Sequence, residues 1–133
     1  MLIDTPMLAA ASCMLDVQPV LFGSYDTLTG MAVDGIGQIE VQCTPAADYV
    51  LSLMPGQGSY DVRELRSGAA TIRYNLYLDP ARARVWGDGS SGSETVSGNG
   101  GDHRHIIYGR IDANQRQIPA GDYYDQILVT VEF

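Results

Sequence analysis

The sequence predicts an all-β domain, and three observations support that prediction. Several short segments alternate apolar and polar residues, which is the period of a strand with one buried face. Turn-forming residues, among them 15 glycines and 6 prolines, interrupt the chain at short intervals, as in sandwiches and barrels. No segment keeps amphipathic helical spacing over three turns, and the nearest one, at 59–66, is bounded by Gly58 and Gly68. A chain of 133 residues fits one domain.

The strands predicted from this pattern follow one another along the whole chain. They are placed at 15–22, 35–43, 49–53, 72–78, 105–111 and 123–133, with shorter segments at 85–86 and 94–97. The first ends at a Gly-Ser-Tyr-Asp turn signal, and the third begins after a Thr-Pro turn. In the second, Ile39, Val41 and Cys43 share one face, while glutamine and glutamate occupy the other. The Gly/Ser-rich tract 87–101 is predicted to be a flexible loop or a pair of hairpins within the domain.

The last strand alternates most regularly and has the least protection. Its two faces are Ile127, Val129, Val131 and Phe133 on one side, and Gln126, Leu128, Thr130 and Glu132 on the other. The sequence stops there without a turn, although soluble proteins normally protect an apolar edge strand. We therefore expect the first set to be an acceptor edge, paired with a strand from another chain or from this chain's own N-terminal segment.

Composition argues against two classes of partner. The formal net charge is −8, and the eight basic residues are all arginines scattered along the chain. Nucleic-acid binding needs a clustered basic face that neutralises phosphates, so no nucleic-acid partner is expected. A basic membrane-surface helix is absent for the same reason, and no membrane insertion is predicted.

No motif in the sequence predicts catalysis, a cofactor or a metal. The Gly-x-Gly-x-x-Gly pattern at 87–92 lacks the helix that a dinucleotide site requires after it. His103 and His105 would share one face of a strand, but we expect them on a polar loop edge. Together with Asp88 and Asp102 they provide no tetrahedral ligand set, so no metal needed for folding is expected. Without a nucleophile elbow or a paired acid and base, the chain is not expected to be an enzyme.

The two cysteines, Cys13 and Cys43, leave two alternatives open. Neither has another cysteine or a histidine at zinc-ligand spacing. They could form a disulfide, which is typical of an oxidising compartment, or remain buried thiols in a cytosolic protein. Residues 1–12 have a small-residue spacing like a signal-cleavage site but no basic start and too short an apolar run. We expect them to begin a mature chain whose signal has been removed.

Seven segments of the sequence form a combined pattern. They are Phe-Gly-Ser-Tyr-Asp at 22–26, Gly-Gln-Ile-Glu-Val-Gln-Cys at 37–43, Tyr-Val-Leu-Ser-Leu at 49–53, Tyr-Asn-Leu-Tyr-Leu-Asp at 74–79, Val-Trp-Gly-Asp-Gly at 85–89, Tyr-Gly-Arg-Ile at 108–111 and Gly-Asp-Tyr-Tyr-Asp-Gln-Ile-Leu-Val-Thr-Val at 121–131. In this order and spacing they together resemble the spore coat protein U domain family, which includes the pilus subunits of archaic (Csu-type) chaperone–usher systems. The resemblance covers nearly the whole chain from residue 13.

The resemblance implies an immunoglobulin-like β-sandwich that lacks its last strand and is completed by donor-strand addition. Residues 13–133 would form this domain, and residues 1–12 an N-terminal extension that is a candidate donor strand. The donor positions of one parity are Met1, Ile3, Met7 and Ala9. Together with two lone cysteines on alternating strands, the resemblance also implies a Cys13–Cys43 disulfide.

The implied function is that of a secreted structural subunit of a fimbria-like or pilus-like surface fibre, which serves adhesion and biofilm formation. Its partners would be a periplasmic chaperone, an outer-membrane usher, and neighbouring pilin subunits or a strand-swapped copy of itself. The chain would pass through the periplasm to the cell surface. The alternative is a tip or surface adhesin domain that binds a host or abiotic surface, for which Leu28 and Met31 are the candidate apolar loop residues.

Overall fold

The computed structural model describes residues 12–100 and 102–133, and its regular elements are all strands. These strands are β1 (Ser12–Gln18), β2 (Val33–Thr44), β3 (Tyr49–Leu53), β4 (Arg63–Ser67), β5 (Ala70–Tyr77), β6 (Val96–Gly98), β7 (Asp102–Ile111) and β8 (Val129–Glu132). Within the described ranges, no helix is long and apolar enough to cross a membrane.

The strands form two packed antiparallel sheets. One sheet has five strands in the order β1-β2-β7-β5-β4, and the other has three in the order β6-β3-β8. Inward-facing residues of both sheets make a single core. This confirms the predicted all-β, immunoglobulin-like sandwich, in which β1 and β8 each lie at the edge of a sheet.

Alternating side chains in the central strands fill the core. Ile39 and Val41 of β2 and Leu51 and Leu53 of β3 are almost completely buried, as the period-two pattern predicts. Trp86 is fully buried between the sheets, and its indole N–H donates to the Leu51 carbonyl at 3.1 Å. The indole therefore has the partner that a buried tryptophan needs.

The strand predictions differ from the structure mainly at the ends of the chain. The predicted 15–22 strand is β1, which begins earlier and stops at Gln18, because the chain then leaves the sheet edge. The predicted 123–133 strand is reduced to β8, because Tyr124 instead makes an isolated bridge with Arg66 of β4. This last segment therefore joins the two sheets before it pairs with β3.

Strand β4 was not predicted at all. Its sequence, Arg-Glu-Leu-Arg-Ser, falls in the segment nearest to helical spacing and has no apolar alternation. The first of these residues, Arg63, is fully buried and Leu65 packs against the core, so an arginine occupies an inward position that the pattern assigns to apolar residues.

Candidate functional site

An apolar groove opens on the sandwich between residues 17–22, at and just after the end of β1, and residues 125–129, which lead into β8. The space inside it measures about 150 Å³. One wall is formed by Val17, Pro19, Val20 and Phe22, the other by Asp125, Ile127 and Val129, and the floor by Leu53, Leu65, Tyr74, Leu76 and Ile107. Ten of these twelve lining residues are apolar, so the groove suits an apolar segment of extended chain.

Glycines in the neighbouring strands position the first wall. A Cβ at Gly37 would lie 2.5 Å from the Gln18 carbonyl oxygen, and one at Gly35 would lie 2.7 Å from the Leu21 carbonyl. A Cβ at Gly109 would likewise meet Phe22 at 2.8 Å. Because these glycines occupy inward positions of β2 and β7, residues 19–22 can cross over the sheet at close range. Glycine within a strand commonly marks such a close approach, and this signal is readable in the sequence.

The second wall carries a backbone edge that no described strand pairs with. Met54 donates its N–H to the Leu128 carbonyl at 3.0 Å, and Ser52 lies opposite Thr130 in the β3–β8 register. In an antiparallel ladder alternate residues point their backbone groups to opposite sides. The N–H and C=O groups of Val129 therefore point away from β3, and those of Ile127 and Val131 follow the same parity. None of the described residues forms a strand on that edge of β8.

The predicted acceptor residues divide into two groups. Ile127, Val129 and Val131 pack against the core, and the first two line the groove. Phe133 was expected on the same inward face but is 59 % exposed, because β8 ends at Glu132 and no strand continues through it. The candidate donor residues lie outside the described residues; they are Met1, Ile3, Met7 and Ala9.

The disulfide joins β1 to its neighbour just before the first wall. Cys13 and Cys43 lie directly opposite each other in the β1–β2 register, and they are bonded with their Cα atoms 4.0 Å apart. Since β1 pairs with no other described strand, the bond fixes an edge strand that otherwise has a single partner.

A carboxylate closes one end of the groove. The Asp125 Oδ2 accepts a 2.6 Å hydrogen bond from the Tyr74 hydroxyl, and its Oδ1 accepts the backbone N–H of Gln57 at 3.1 Å. Burial raises the pKa of the Tyr74 phenol, and the bond to Asp125 raises it further, so the hydroxyl stays protonated as a donor. A Cβ at Gly56 would lie 2.5 Å from Oδ2, so this position requires glycine.

Arg63 is a buried charge, and no pattern in the sequence predicts its place in the core. Its guanidinium donates to Asn75 Oδ1 at 2.7 Å, the Trp86 carbonyl at 2.8 Å and the Met54 carbonyl at 3.0 Å. The same group lies 5.7 Å from the Tyr60 ring centroid. Burial lowers the pKa of Arg63. Arginine nevertheless remains charged in proteins, so its hydrogen bonds tie β4 to three other segments near the groove floor.

The histidines lie on a strand, contrary to the prediction of a loop edge. His103 and His105 are both in β7, with their rings stacked at a centroid distance of 6.3 Å. The His105 Nε2 is 2.7 Å from the hydroxyl of Tyr49, whose pKa is raised by burial. The phenol therefore keeps its proton and can donate to Nε2 in the tautomer that leaves this nitrogen unprotonated. Among the described residues, no three metal-ligating side chains come together.

Acidification is expected to destabilise the fold through His105. Burial lowers the pKa of His105 from its ordinary 6.5, and the neighbouring His103 lowers it further. The unfolded chain then binds the proton more readily, so the stabilisation is present above about pH 6.5 and falls as the pH drops below it. Thermal melts between about pH 7.5 and pH 5 should show this loss. H105Q keeps a hydrogen-bonding partner for Tyr49 without titrating and should lose less stability; an equal loss in both proteins would contradict the assignment.

An ordered turn between β1 and β2 presents two apolar side chains to solvent. The Asp26 carboxylate accepts the N–H of Leu28 at 2.8 Å, and the Asn114 N–H donates to the Gly30 carbonyl at 2.7 Å. Leu28 is 89 % exposed and Met31 is 67 % exposed. The turn is therefore fixed to the body of the domain while its apolar side chains remain uncovered.

Comparison with known proteins identifies similar sequences and folds. A family model described as the Spore Coat Protein U domain matches residues 2–130. The chain is also similar to a chain of the crystal structure of a chaperone–tip adhesion subunit pre-assembly complex, CsuC–CsuE, from archaic chaperone–usher Csu pili of Acinetobacter baumannii. The two chains are 21 % identical with a TM-score of 0.67 over 93 % of this chain, which shows a shared fold. The matched region is 40 % of that chain's length. Among curated proteins, none matches significantly.

Proposed function

Because the chain belongs to the spore coat protein U domain family, whose model matches residues 2–130, we propose that it is a structural subunit of a fimbria-like surface fibre. Assembly proceeds by donor-strand complementation through a chaperone–usher pathway, and the fibre serves adhesion and biofilm formation. The chain passes through the periplasm to the cell surface and has no catalytic role.

The observation that carries this proposal is the open groove, whose backbone edge on β8 pairs with no described strand. A strand laid against β8 would pair with the outward N–H and C=O groups of Val129 and Val131, which is the β-addition mode of peptide recognition. Its side chains would cover the groove floor, which includes Leu53, Leu76 and Ile107. Full burial of one such side chain is worth about 1.5–3 kcal/mol, a large fraction of the stability of a single domain.

The strand comes from another chain in the assembled fibre. A periplasmic chaperone supplies it during transit, and a neighbouring subunit supplies it afterwards, with residues 1–12 as the candidate donor. A strand-swapped dimer is the corresponding form for an isolated domain, since exchange of a terminal strand is an easy route to dimers. In both forms, the added strand pairs with the outward backbone N–H and C=O groups of β8.

Assembly is expected to depend on one backbone N–H. Val129→Pro removes the amide that points to the open edge, and proline is tolerated on an edge strand when its missing N–H faces solvent. The pairing of Thr130 and Glu132 with β3 should therefore survive. We expect the V129P chain, exported to the periplasm, to fold but not to appear in surface fibres, as judged by sedimentation and electron microscopy of sheared material.

The matched control is Val129→Ala, which shortens the same side chain but keeps the N–H. It should still assemble, because the ladder of hydrogen bonds is intact. Fibres from V129P in the same amount as from V129A would show that no strand pairs with this edge and would overturn the proposal.

A second candidate function, binding to an apolar surface at the fibre tip, is favoured by the turn that carries Leu28 and Met31. Both side chains are largely exposed, so replacing them should leave the fold intact, whereas contact with an apolar surface would be lost. We expect the L28S/M31S protein to be retained several-fold less on a hydrophobic resin, roughly the effect of losing one or two apolar contacts. Met14→Ser, which alters another exposed methionine, is the control, and an equal loss in both would exclude a specific role for the turn.

A further inference from the structure

The groove contains one pair of polar side chains, and the proposed function does not explain it. Of the twelve lining residues only Asp125 and Tyr74 carry polar groups, and these two are hydrogen-bonded to each other at 2.6 Å. An added strand covers this carboxylate together with the apolar floor. Desolvating a charged group without a compensating hydrogen bond is unfavourable. The strand that passes over Asp125 is therefore favoured if it offers a hydrogen-bond donor there, whereas the rest of the groove favours apolar side chains.

The two carboxylate oxygens of Asp125 are unequally occupied. Oδ1 accepts from the Gln57 backbone N–H at 3.1 Å, from Gln57 Nε2 at 3.2 Å and from the Gln126 N–H at 2.9 Å. Among the residues that the structure describes, Oδ2 accepts from the Tyr74 hydroxyl alone. Since each carboxylate oxygen can accept about two hydrogen bonds, Oδ2 has capacity for one more donor.

The surrounding chain holds this carboxylate in a fixed position. The backbone of Gln57 binds it from one side, and the absence of a side chain at Gly56 leaves the space that it occupies. The residue before it in the chain is also held, because Tyr124 bridges to Arg66 of β4 by two backbone hydrogen bonds of 2.9 and 3.1 Å. The acceptor is therefore preorganised before any strand arrives, which is the condition under which a hydrogen bond contributes to selectivity.

On the premise of strand addition, we propose that Asp125 is a specificity-determining residue of the groove. It selects donor strands that place a hydrogen-bond-donating side chain, such as a hydroxyl, opposite its Oδ2 among otherwise apolar inward residues. A site built to hydrogen-bond a ligand group discriminates strongly against an analogue that lacks it, because the buried polar group is left unpaired. The groove thereby distinguishes strands that have the same apolar pattern.

Synthetic strands of about nine residues, a usual strand length, test the inference. One peptide carries valine at every inward position, and the others replace one valine at a time by threonine, which has nearly the same shape but carries a hydroxyl. Binding to the full chain, refolded with each peptide, is measured by the shift in melting temperature and by titration. One threonine position should bind about tenfold more tightly than the all-valine peptide, and the remaining threonine positions should bind no better.

Three variants identify the group responsible. The preference should fall to about twofold or less in D125N, which lacks the charge that strengthens the hydrogen bond. It should persist in Q57A, which loosens the same loop but leaves Oδ2 unchanged, and it should persist or grow in Y74F, which removes the existing donor to Oδ2.

The outcomes separate this inference from the proposed function. Tight binding of the all-valine peptide with no preferred threonine position would overturn the role of Asp125 and leave strand addition intact. A preferred position that survives unchanged in D125N would also overturn it. Failure of every peptide to bind would count against strand addition itself and therefore against both.

Discussion

Replacing both cysteines by alanine is expected to lower the free energy of unfolding by about 3–4 kcal/mol, the value for closing a loop of this length in the chain-entropy model. Cys13 and Cys43 are separated by 30 positions and link β1 to β2. The loss should be visible as a fall of roughly 10–20 °C in melting temperature for a domain of this size. The edge strand β1 should also become mobile, since β2 is its only described partner.

Reducing agent supplies the matched comparison. Wild-type protein treated with a reductant should melt at about the temperature of the double-alanine variant, whereas the variant itself should not respond. The groove wall at 19–22 begins where β1 ends, so peptide binding should weaken together with stability. A double variant that unfolds at the same denaturant concentration as oxidised wild type would show that the bond contributes little.

Replacing Arg63 by methionine should be similarly damaging, at about 3 kcal/mol or more. The change leaves the carbonyls of Trp86 and Met54 and the side chain of Asn75 without their charged donor. Each buried acceptor left unpaired costs about 1–3 kcal/mol. Removal of a desolvated charge offsets only part of that cost, because the side chain of methionine fills the space but donates no hydrogen bond. Chemical denaturation measures the difference.

Arg73→Met is the control for Arg63→Met. Arg73 lies in the adjacent strand β5, and its side chain is 52 % exposed, 3.9 Å from Asp112. An exposed ion pair of this kind contributes about 0–1 kcal/mol, so this variant should remain close to wild type. Equal effects of the two substitutions would show that the buried hydrogen bonds of Arg63 do not stabilise the sandwich.

The central strands were predictable because their environment matches the simplest rule for sheets. Strand β3 occupies the predicted residues, and β2, β5 and β7 differ from prediction by a few residues at their ends. In each of them, one face packs on the core and the other faces outward, which alternating sequences specify directly. The overall fold class and the acceptor parity of Ile127 and Val129 follow from the same pattern.

The elements that were missed depend on partners far away in sequence. An inward-facing residue of strand β4 is Arg63, and its hydrogen-bond acceptors come from three other segments. No local sequence pattern therefore reveals this strand. The end of β1 at Gln18 depends on glycines in β2 and β7 that admit residues 19–22. The polar end of the groove requires Asp125 to meet Tyr74, 51 positions earlier in the chain. Alternation in the sequence identifies the buried face of a strand, but it does not show which distant segment packs against that face.

The most direct test of strand addition is amide hydrogen exchange in the last strand, measured on the assembled form of the protein. The Thr130 N–H points toward β3 and should be protected whether or not a strand has been added. The amides of Val129 and Val131 point to the open edge, and strand addition should protect them in assembled material to the same degree as Thr130. Assembled protein in which Thr130 is protected while Val129 and Val131 exchange freely would contradict it.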